Sequence, residues 1–203
     1  MILYRNEDKY RHQFPIIAGI DEAGRGPLAG PVVTAVVILD PEKIINGLND
    51  SKKLSARNRE SLFDQIVENA LDYKVEIVPV EVIDDINILW ATMMGMENAV
   101  HNLRLKPDLC LIDGNRIPKN LKFRAEAIVK GDGKIASIAA ASILAKVTRD
   151  RIMIELHQIH PEYNFLKNKG YPTKEHIAAI NEFGILGCHR KSFSPIKQLV
   201  FKF

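Results

Sequence analysis

Two apolar runs separated by a glycine- and proline-rich turn constrain this chain more than any other feature. Residues 16–20 (IIAGI) form a short apolar run that ends on Asp21-Glu22, and residues 32–39 (VVTAVVIL) form a longer one rich in β-branched side chains. Runs of this length and type read as buried strands. Residues 24–31 (GRGPLAGP) between them are a turn by composition. Two strands joined by so short a turn make an antiparallel hairpin. That hairpin leaves a pair of acids at the end of its first strand.

The rest of the chain alternates strand and helix patterns. Asp50-Ser51 offers helix N-caps for a helix running to about residue 67. Residues 73–80 alternate as a third strand. Residues 85–103 have helical periodicity and carry the single tryptophan, Trp90. Residues 108–112 (DLCLI) are a short buried strand ending at Asp113-Gly114, and residues 123–129 form a further strand ahead of Asp132. Residues 135–159 are a long alanine-rich helix. A polar segment, 164–173, precedes a helix at 174–183 and a tail. An antiparallel start followed by strands alternating with helices implies an α/β fold, a mixed β-sheet flanked by helices. Residues 1–203 then form one domain, with a polar leader at 1–14 and a helical C-terminal extension from about 160 to 203.

Composition narrows the class. No stretch approaches the ~20 apolar residues of a membrane span, and the N-terminus (MILYRNEDKY) lacks the apolar core of a secretory signal. Two cysteines, Cys110 and Cys188, are too few for a disulfide framework or a cysteine zinc site, so a reducing cytoplasm is the expected compartment. His157 and His160 lack the rest of a zinc motif. Charge is divided unevenly. The first hundred residues carry 10 basic and 16 acidic side chains, and the remainder carries 18 and 9. A basic half points to a polyanionic partner.

The strand ends carry the chemistry. Asp21, Glu22, Asp113 and Asp132 each follow a strand-like run, where loops of an open α/β sheet present side chains without disturbing the core. Four carboxylates at one edge repel one another unless cations neutralise them. Hard oxygen donors favour Mg²⁺ or Mn²⁺ over zinc. Two such ions ~3.5–4 Å apart suit in-line displacement at phosphorus. Asp150 is a rival to Asp132, but 16 residues of helix beyond Lys134 span roughly 24 Å, so one site cannot use both. Asp132 sits beside a strand end and is preferred. Asp150 is expected to pair with a nearby arginine.

The stretch Gly19-Ile20-Asp21-Glu22-Ala23-Gly24-Arg25-Gly26-Pro27-Leu28-Ala29-Gly30-Pro31 resembles the signature of ribonuclease HII, the bacterial type 2 ribonuclease H. The blocks NDSKKL (49–54), LIDG (111–114), KGDGK (130–134), SIAAASILAKVTRD (137–150), NKGYPT (168–173) and HRKSF (189–193) resemble the family in the same order. The resemblance implies an RNase H-like fold. It also implies an endonuclease that cuts RNA in RNA–DNA hybrids and cuts 5′ of single ribonucleotides in duplex DNA, as in ribonucleotide removal. The products carry a 3′-hydroxyl and a 5′-phosphate, and the cofactors are two Mg²⁺ or Mn²⁺ ions. By the same resemblance Asp21, Glu22, Asp113 and Asp132 are the metal carboxylates. Gly24-Arg25-Gly26 meets the ribonucleotide 2′-hydroxyl, and Tyr171 packs on the deoxyribose just 3′ of it. Lys52, Lys53, Lys146 and Arg190 are candidates for phosphate contacts.

Other readings fit less well. A nicotinamide-binding turn fails because Gly26 and Gly30 are one residue too far apart and Asp21-Glu22 would face a pyrophosphate. A non-catalytic nucleic-acid module needs no four carboxylates at strand ends. Ribonuclease HIII adds an N-terminal substrate-binding domain, for which 15 residues leave no room. The tail Gln198-Leu199-Val200-Phe201 loosely resembles a sliding-clamp peptide, but packing on the core is its expected fate. The chain is expected to act as a monomer.

Overall fold

A computed structural model describes residues 2–200 of the chain. In chain order it contains α1 (Ile2–Arg11), β1 (Ile17–Ala23), β2 (Val32–Leu39), α2 (Ala56–Asn69), β3 (Ala70–Val78), α3 (Val80–His101), β4 (Leu109–Asp113), β5 (Ala125–Ile128), α4 (Ala136–Ile159), α5 (Phe165–Asn168), α6 (Lys174–Phe183) and α7 (Ile196–Val200). The five strands form one sheet in the order β3-β2-β1-β4-β5. β1 pairs antiparallel with β2 and parallel with β4, so the expected hairpin and the expected mixed sheet are both present.

β2 is buried along its whole length, which explains its unbroken apolar sequence. Val33, Ala35, Val37 and Leu39 pack with α4 and α2 on one face, while Val36 and Ile38 pack with Met96, Ala99 and Val100 of α3 on the other. The alanines of α4 bring that helix close to β1. A Cβ on Gly19 would overlap the Ser137 main chain, so only glycine permits this approach. Truncating Leu144, fully buried in the α4 layer, would cost about 2–5 kcal/mol. Among the described residues no helix is long and apolar enough to cross a membrane.

Three local expectations need correction. The leader is not a polar extension: most of it is helix α1. Tyr4 and Glu7 of α1 are buried; the Tyr4 hydroxyl accepts from Ile45 N at 3.0 Å, and Glu7 Oε2 accepts from Ser137 N at 2.7 Å. Glu7 thus satisfies a free N–H in the first turn of α4. Second, Asp50 caps only a short 3-10 turn (Ser51–Lys53), and α2 starts after Ser55, whose hydroxyl accepts from Asn58 N. Third, α3 starts at Val80 and breaks at Asn87, which adopts φ 65°.

The C-terminal segment packs on the core as expected. Ile196 is fully buried and Leu199 joins it in a cluster with Leu28, Met153 and Tyr163. The clamp-like peptide extends to Phe201, which lies outside the described residues.

Candidate active site

Sheet register places the first two carboxylates. Ile20 of β1 lies opposite Ile112 of β4, so Asp21 and Asp113 follow side by side at the same end of two parallel strands. Glu22, the next residue along β1, faces the opposite side of the sheet. There it lines a recess with Leu89 and Met93 of α3. Asp132 sits on a 3-10 turn (Gly131–Gly133) beyond β5, and Gly131 N donates to Asp113 Oδ1 at 2.7 Å, tying that turn to the end of β4. The four acids thus straddle one end of the sheet.

Their electrostatics reflect this crowding. Burial, then the charges of Glu22 and Asp113, holds Asp21 well above the usual carboxylate range. Glu22 is raised by burial, against the pull of Arg25, whose guanidinium lies 3.3 Å away. Asp132 is raised by burial and then by Asp113 and Asp50, against the pull of Lys52. The donors are all hard carboxylate oxygens, the type that suits Mg²⁺ or Mn²⁺. Among the described residues no three His, Cys, Asp or Glu side chains already converge on one cation position. The chemistry of the set therefore fits a divalent ion, but a bound ion would have to draw the carboxylates together.

A cleft of about 320 Å³ opens on the α4 side of the sheet end, with Asp21 and Glu22 among its lining residues. Gly24-Arg25-Gly26, Lys52, Lys146 and Tyr171 line it. Gly24 adopts φ 99°, and a Cβ there would overlap the Arg149 side chain. Tyr171 is 45 % exposed and faces the loop: the Cβ position of Gly26 lies 3.5 Å from its Cε1. The glycine loop and the tyrosine therefore form two sides of one cleft, with carboxylates at its end.

The lysines and Arg190 occupy different surroundings. Lys52 and Lys146 line the cleft, although Lys146 Nζ also pairs with Asp150 at 2.6 Å. Lys53 is exposed, lies 4.0 Å from Asp50 and is not among the cleft's lining residues. Arg190 cannot hold a phosphate. It is fully buried and donates to the main-chain carbonyls of Gly24, Arg25, Gly30 and Pro31 at 2.6–3.1 Å. A basic block reads the same in sequence whether its arginine faces solvent or the interior. Burial, then nearby Arg149, pushes Arg190 down to about 9.

Arg149 was not recognisable as a site residue. It lies seven residues after Ser142 on α4, two turns along the same helix face. It donates to the carbonyls of Ala29, Pro31 and Lys169. Arg149 and Arg190 together hold the loop from behind. His189 adds a third link. Its Nδ1 accepts from Leu186 N at 2.8 Å, its Nε2 meets His176 Nε2 at 3.1 Å, and His176 Nδ1 meets the Tyr171 carbonyl at 2.9 Å. Asp150, as expected, serves an ion-pair network with Lys146 and Arg59.

Comparison with known proteins places the chain in one family. Residues 18–196 match the family model described as Ribonuclease HII. Ribonuclease HII of Marinomonas sp. (strain MWYL1) is 56% identical over 185 residues, covering 91% of this chain and 93% of its own. The crystal structure of ribonuclease H2 from Pyrococcus horikoshii OT3 superposes with a TM-score of 0.77 at 31% identity, covering 92% of this chain and 98% of its own. A chain from the PCNA:RNase HII complex of Archaeoglobus fulgidus superposes with a TM-score of 0.75 at 31% identity, covering 88% and 95%.

Proposed function

The chain belongs to the ribonuclease HII family, whose members are ribonuclease H endonucleases, and from that premise we propose how this chain selects and cuts its substrate. It cleaves the phosphodiester on the 5′ side of a ribonucleotide, including a single one embedded in duplex DNA. The products carry a 3′-hydroxyl and a 5′-phosphate. One observation carries the reading: Asp21 and Glu22 line the cleft between Gly24-Arg25-Gly26 and Tyr171, and Asp113 ends the strand beside Asp21.

Asp21, Glu22, Asp113 and Asp132 would hold two divalent cations, Mg²⁺ or Mn²⁺. Bound there, such ions would supply activation of water and neutralisation of charge on the leaving oxygen. The protein's own part is positioning. Gly26 carries no side chain to hold a sugar away from the face opposite Tyr171, so the main chain can approach a 2′-hydroxyl, the group that separates RNA from DNA. The Tyr171 ring packs on the next deoxyribose, where a second 2′-hydroxyl would crowd it. Lys52 and Lys146 take phosphates, which orient the duplex without reading its sequence. Lys53, outside the cleft, could reach only a more distant phosphate. Activity as a monomeric, single-domain enzyme of the cytoplasm completes the reading. A sliding-clamp contact of the kind named for the Archaeoglobus complex is not included, because Leu199 of the tail is partly buried against the Ile196 cluster.

The test is cleavage of a DNA duplex containing one ribonucleotide, with both product ends mapped. The proposal expects a single cut 5′ of the ribonucleotide that a chelator abolishes. Cleavage of a continuous hybrid with no cut at the single ribonucleotide would overturn it.

A further inference from the structure

The carboxylates have a second flank. On the α3 side of the sheet end, a recess of about 110 Å³ is lined by Glu22, Arg25, Asp113 and Arg116 among others. A neighbouring recess of about 160 Å³ is lined by Trp90, Ile117 and Lys119. The two share Leu89, Met93 and Arg116, so a continuous trough leads from the acids to Trp90.

Two backbone features build this trough. Gly114 adopts φ 102°, a left-handed turn open to glycine, directly after Asp113. The turn lays Asn115, Arg116 and Ile117 along the rim. Opposite, α3 breaks at Asn87 and restarts, with Asn87 Oδ1 accepting from Leu89 N at 3.0 Å and Trp90 N at 3.3 Å. This restart carries Trp90, which stays 42 % exposed, with Ile117 at 45 % across from it.

Trp90 is not buried as a helix–loop contact would bury it. Lys119 Nζ lies 5.2 Å from its ring centroid, and among the described residues neither Lys119 nor Arg116 is paired with a carboxylate. Two unpaired cations beside an exposed aromatic face combine the charge that meets phosphates with the flat surface that packs on a sugar or base.

We propose that this trough holds the stretch of the cut strand lying 5′ of the scissile phosphate, with Arg116 and Lys119 at its phosphates and Trp90 packed on one of its sugars. The inference rests on the function proposed above, which sets the polarity. Gly24-Arg25-Gly26 and Tyr171 take the ribonucleotide and its 3′ neighbour on the α4 side. The scissile phosphate lies 5′ of them, at the carboxylates. A strand continuing past that point leaves over the α3 side, along Arg116 toward Trp90.

Trp90 is the only tryptophan in the chain, so the unmodified protein carries its own reporter. Two duplexes of equal length are titrated in chelator, each with one ribonucleotide. In one, about ten nucleotides, roughly one helical turn, lie upstream of it; in the other it is the second nucleotide from the 5′ end. Anisotropy of a labelled strand establishes saturation. The proposal expects Trp90 fluorescence to change with the first duplex and stay unchanged with the second. With metal present, Trp90→Ala and Arg116→Ala should lower kcat/KM on the first duplex roughly tenfold, within the range for one stacking contact, and leave the second unaffected. Arg116→Ala should also reduce the salt slope of binding by about one.

An equal response to both duplexes, or none to either at saturation, overturns the assignment; the second result leaves the trough to a protein partner. If unmodified protein cuts the first duplex correctly while the fluorescence is silent, only this inference fails. If it does not cut that duplex at all, the proposed function fails, and the strand polarity argued here fails with it.

Discussion

Arg190 Nη2 donates to the Gly24 carbonyl at 2.6 Å, joining a buried cation near the C-terminus to the loop that follows β1. The same guanidinium reaches the carbonyls of Arg25, Gly30 and Pro31, all main-chain oxygens. A buried cation whose hydrogen bonds all go to carbonyls depends on its full set of bonds, since each lost bond leaves a buried acceptor unsatisfied. Its fork geometry is specific to arginine. The loop that faces Tyr171 is thus held in part by a residue, Arg190, that does not line the cleft.

Arg190→Lys is therefore expected to destabilise the fold by about 2–4 kcal/mol, because one ammonium cannot reach four carbonyls. In protein that remains folded, cleavage beside a single ribonucleotide should fall further than cleavage of a continuous hybrid. Urea midpoints and parallel rates on the two substrates check both. Equal losses on the two would show that the arginine serves stability alone.

Asp21→Asn should abolish cleavage and leave the fold intact. Asp21 lies among buried like charges, with Asp113 beside it on the adjacent strand. Removing one charge relieves repulsion, so thermal stability in chelator should be unchanged or higher. The thermal midpoint and a cleavage assay on the same preparation check this. Near-normal turnover would remove Asp21 from the metal set.

The two rival aspartates differ in surroundings. Asp132 stands on the turn that Gly131 N ties to Asp113, whereas Asp150 is engaged with Lys146 at 2.6 Å and Arg59 at 4.0 Å. Asp132→Asn should be inactive and folded. Asp150→Asn should cost on the order of 1 kcal/mol or less, as for a partly exposed ion pair, and keep measurable activity. Reversed losses in folded variants would exchange their roles.

What was legible in the sequence follows from how local each cause is. The hairpin could be read because β2 is buried on both faces, and its apolar run therefore begins and ends where the strand does. The acids could be read because strand ends place them. Helix α1 could not. Its composition is polar, and its place depends on long-range bonds, among them those from Ile45 N to Tyr4 and from Ser137 N to Glu7. The break at Asn87 is a single left-handed residue inside a helical pattern, repaired by its own side chain. Arg190 reads in sequence as a surface cation because its partners are carbonyls, which have no sequence signature.

Acid should weaken the fold through the histidine pair. Burial, then neighbouring His176, pushes His189 down to about 4 from 6.5, and burial lowers His176 as well. A depressed histidine is neutral when folded and takes up its proton on unfolding. Stability is therefore full above pH 6.5 and is lost as pH falls toward 4, by about 2 kcal/mol between pH 7 and pH 5 for His189. Denaturation midpoints at those two pH values should differ more in the natural protein than in His189→Asn. Parallel curves would mean that His189 does not couple to folding.

Substrate choice gives the most direct test of Tyr171. The residue stands half-exposed across from Gly26, and its carbonyl meets His176, which anchors the main chain while the ring stays open to the cleft. Removing the ring leaves that anchor intact, so Tyr171→Ala should fold normally. It should lose activity most on a duplex with one ribonucleotide, where a single deoxyribose must be held against the ring. The loss should appear in kcat more than in affinity, because a misplaced phosphate reacts slowly even when bound. On the order of 100-fold is expected, the scale of a displacement near 1 Å. Tyr171→Phe keeps the packing surface and should lose far less. Single-turnover rates and binding constants for both variants, on the single-ribonucleotide duplex and on a continuous hybrid, separate these effects. If Phe loses as much as Ala, the hydroxyl rather than the ring carries the role. If Ala weakens binding without slowing the bound complex, Tyr171 contributes affinity and does not position the scissile phosphate.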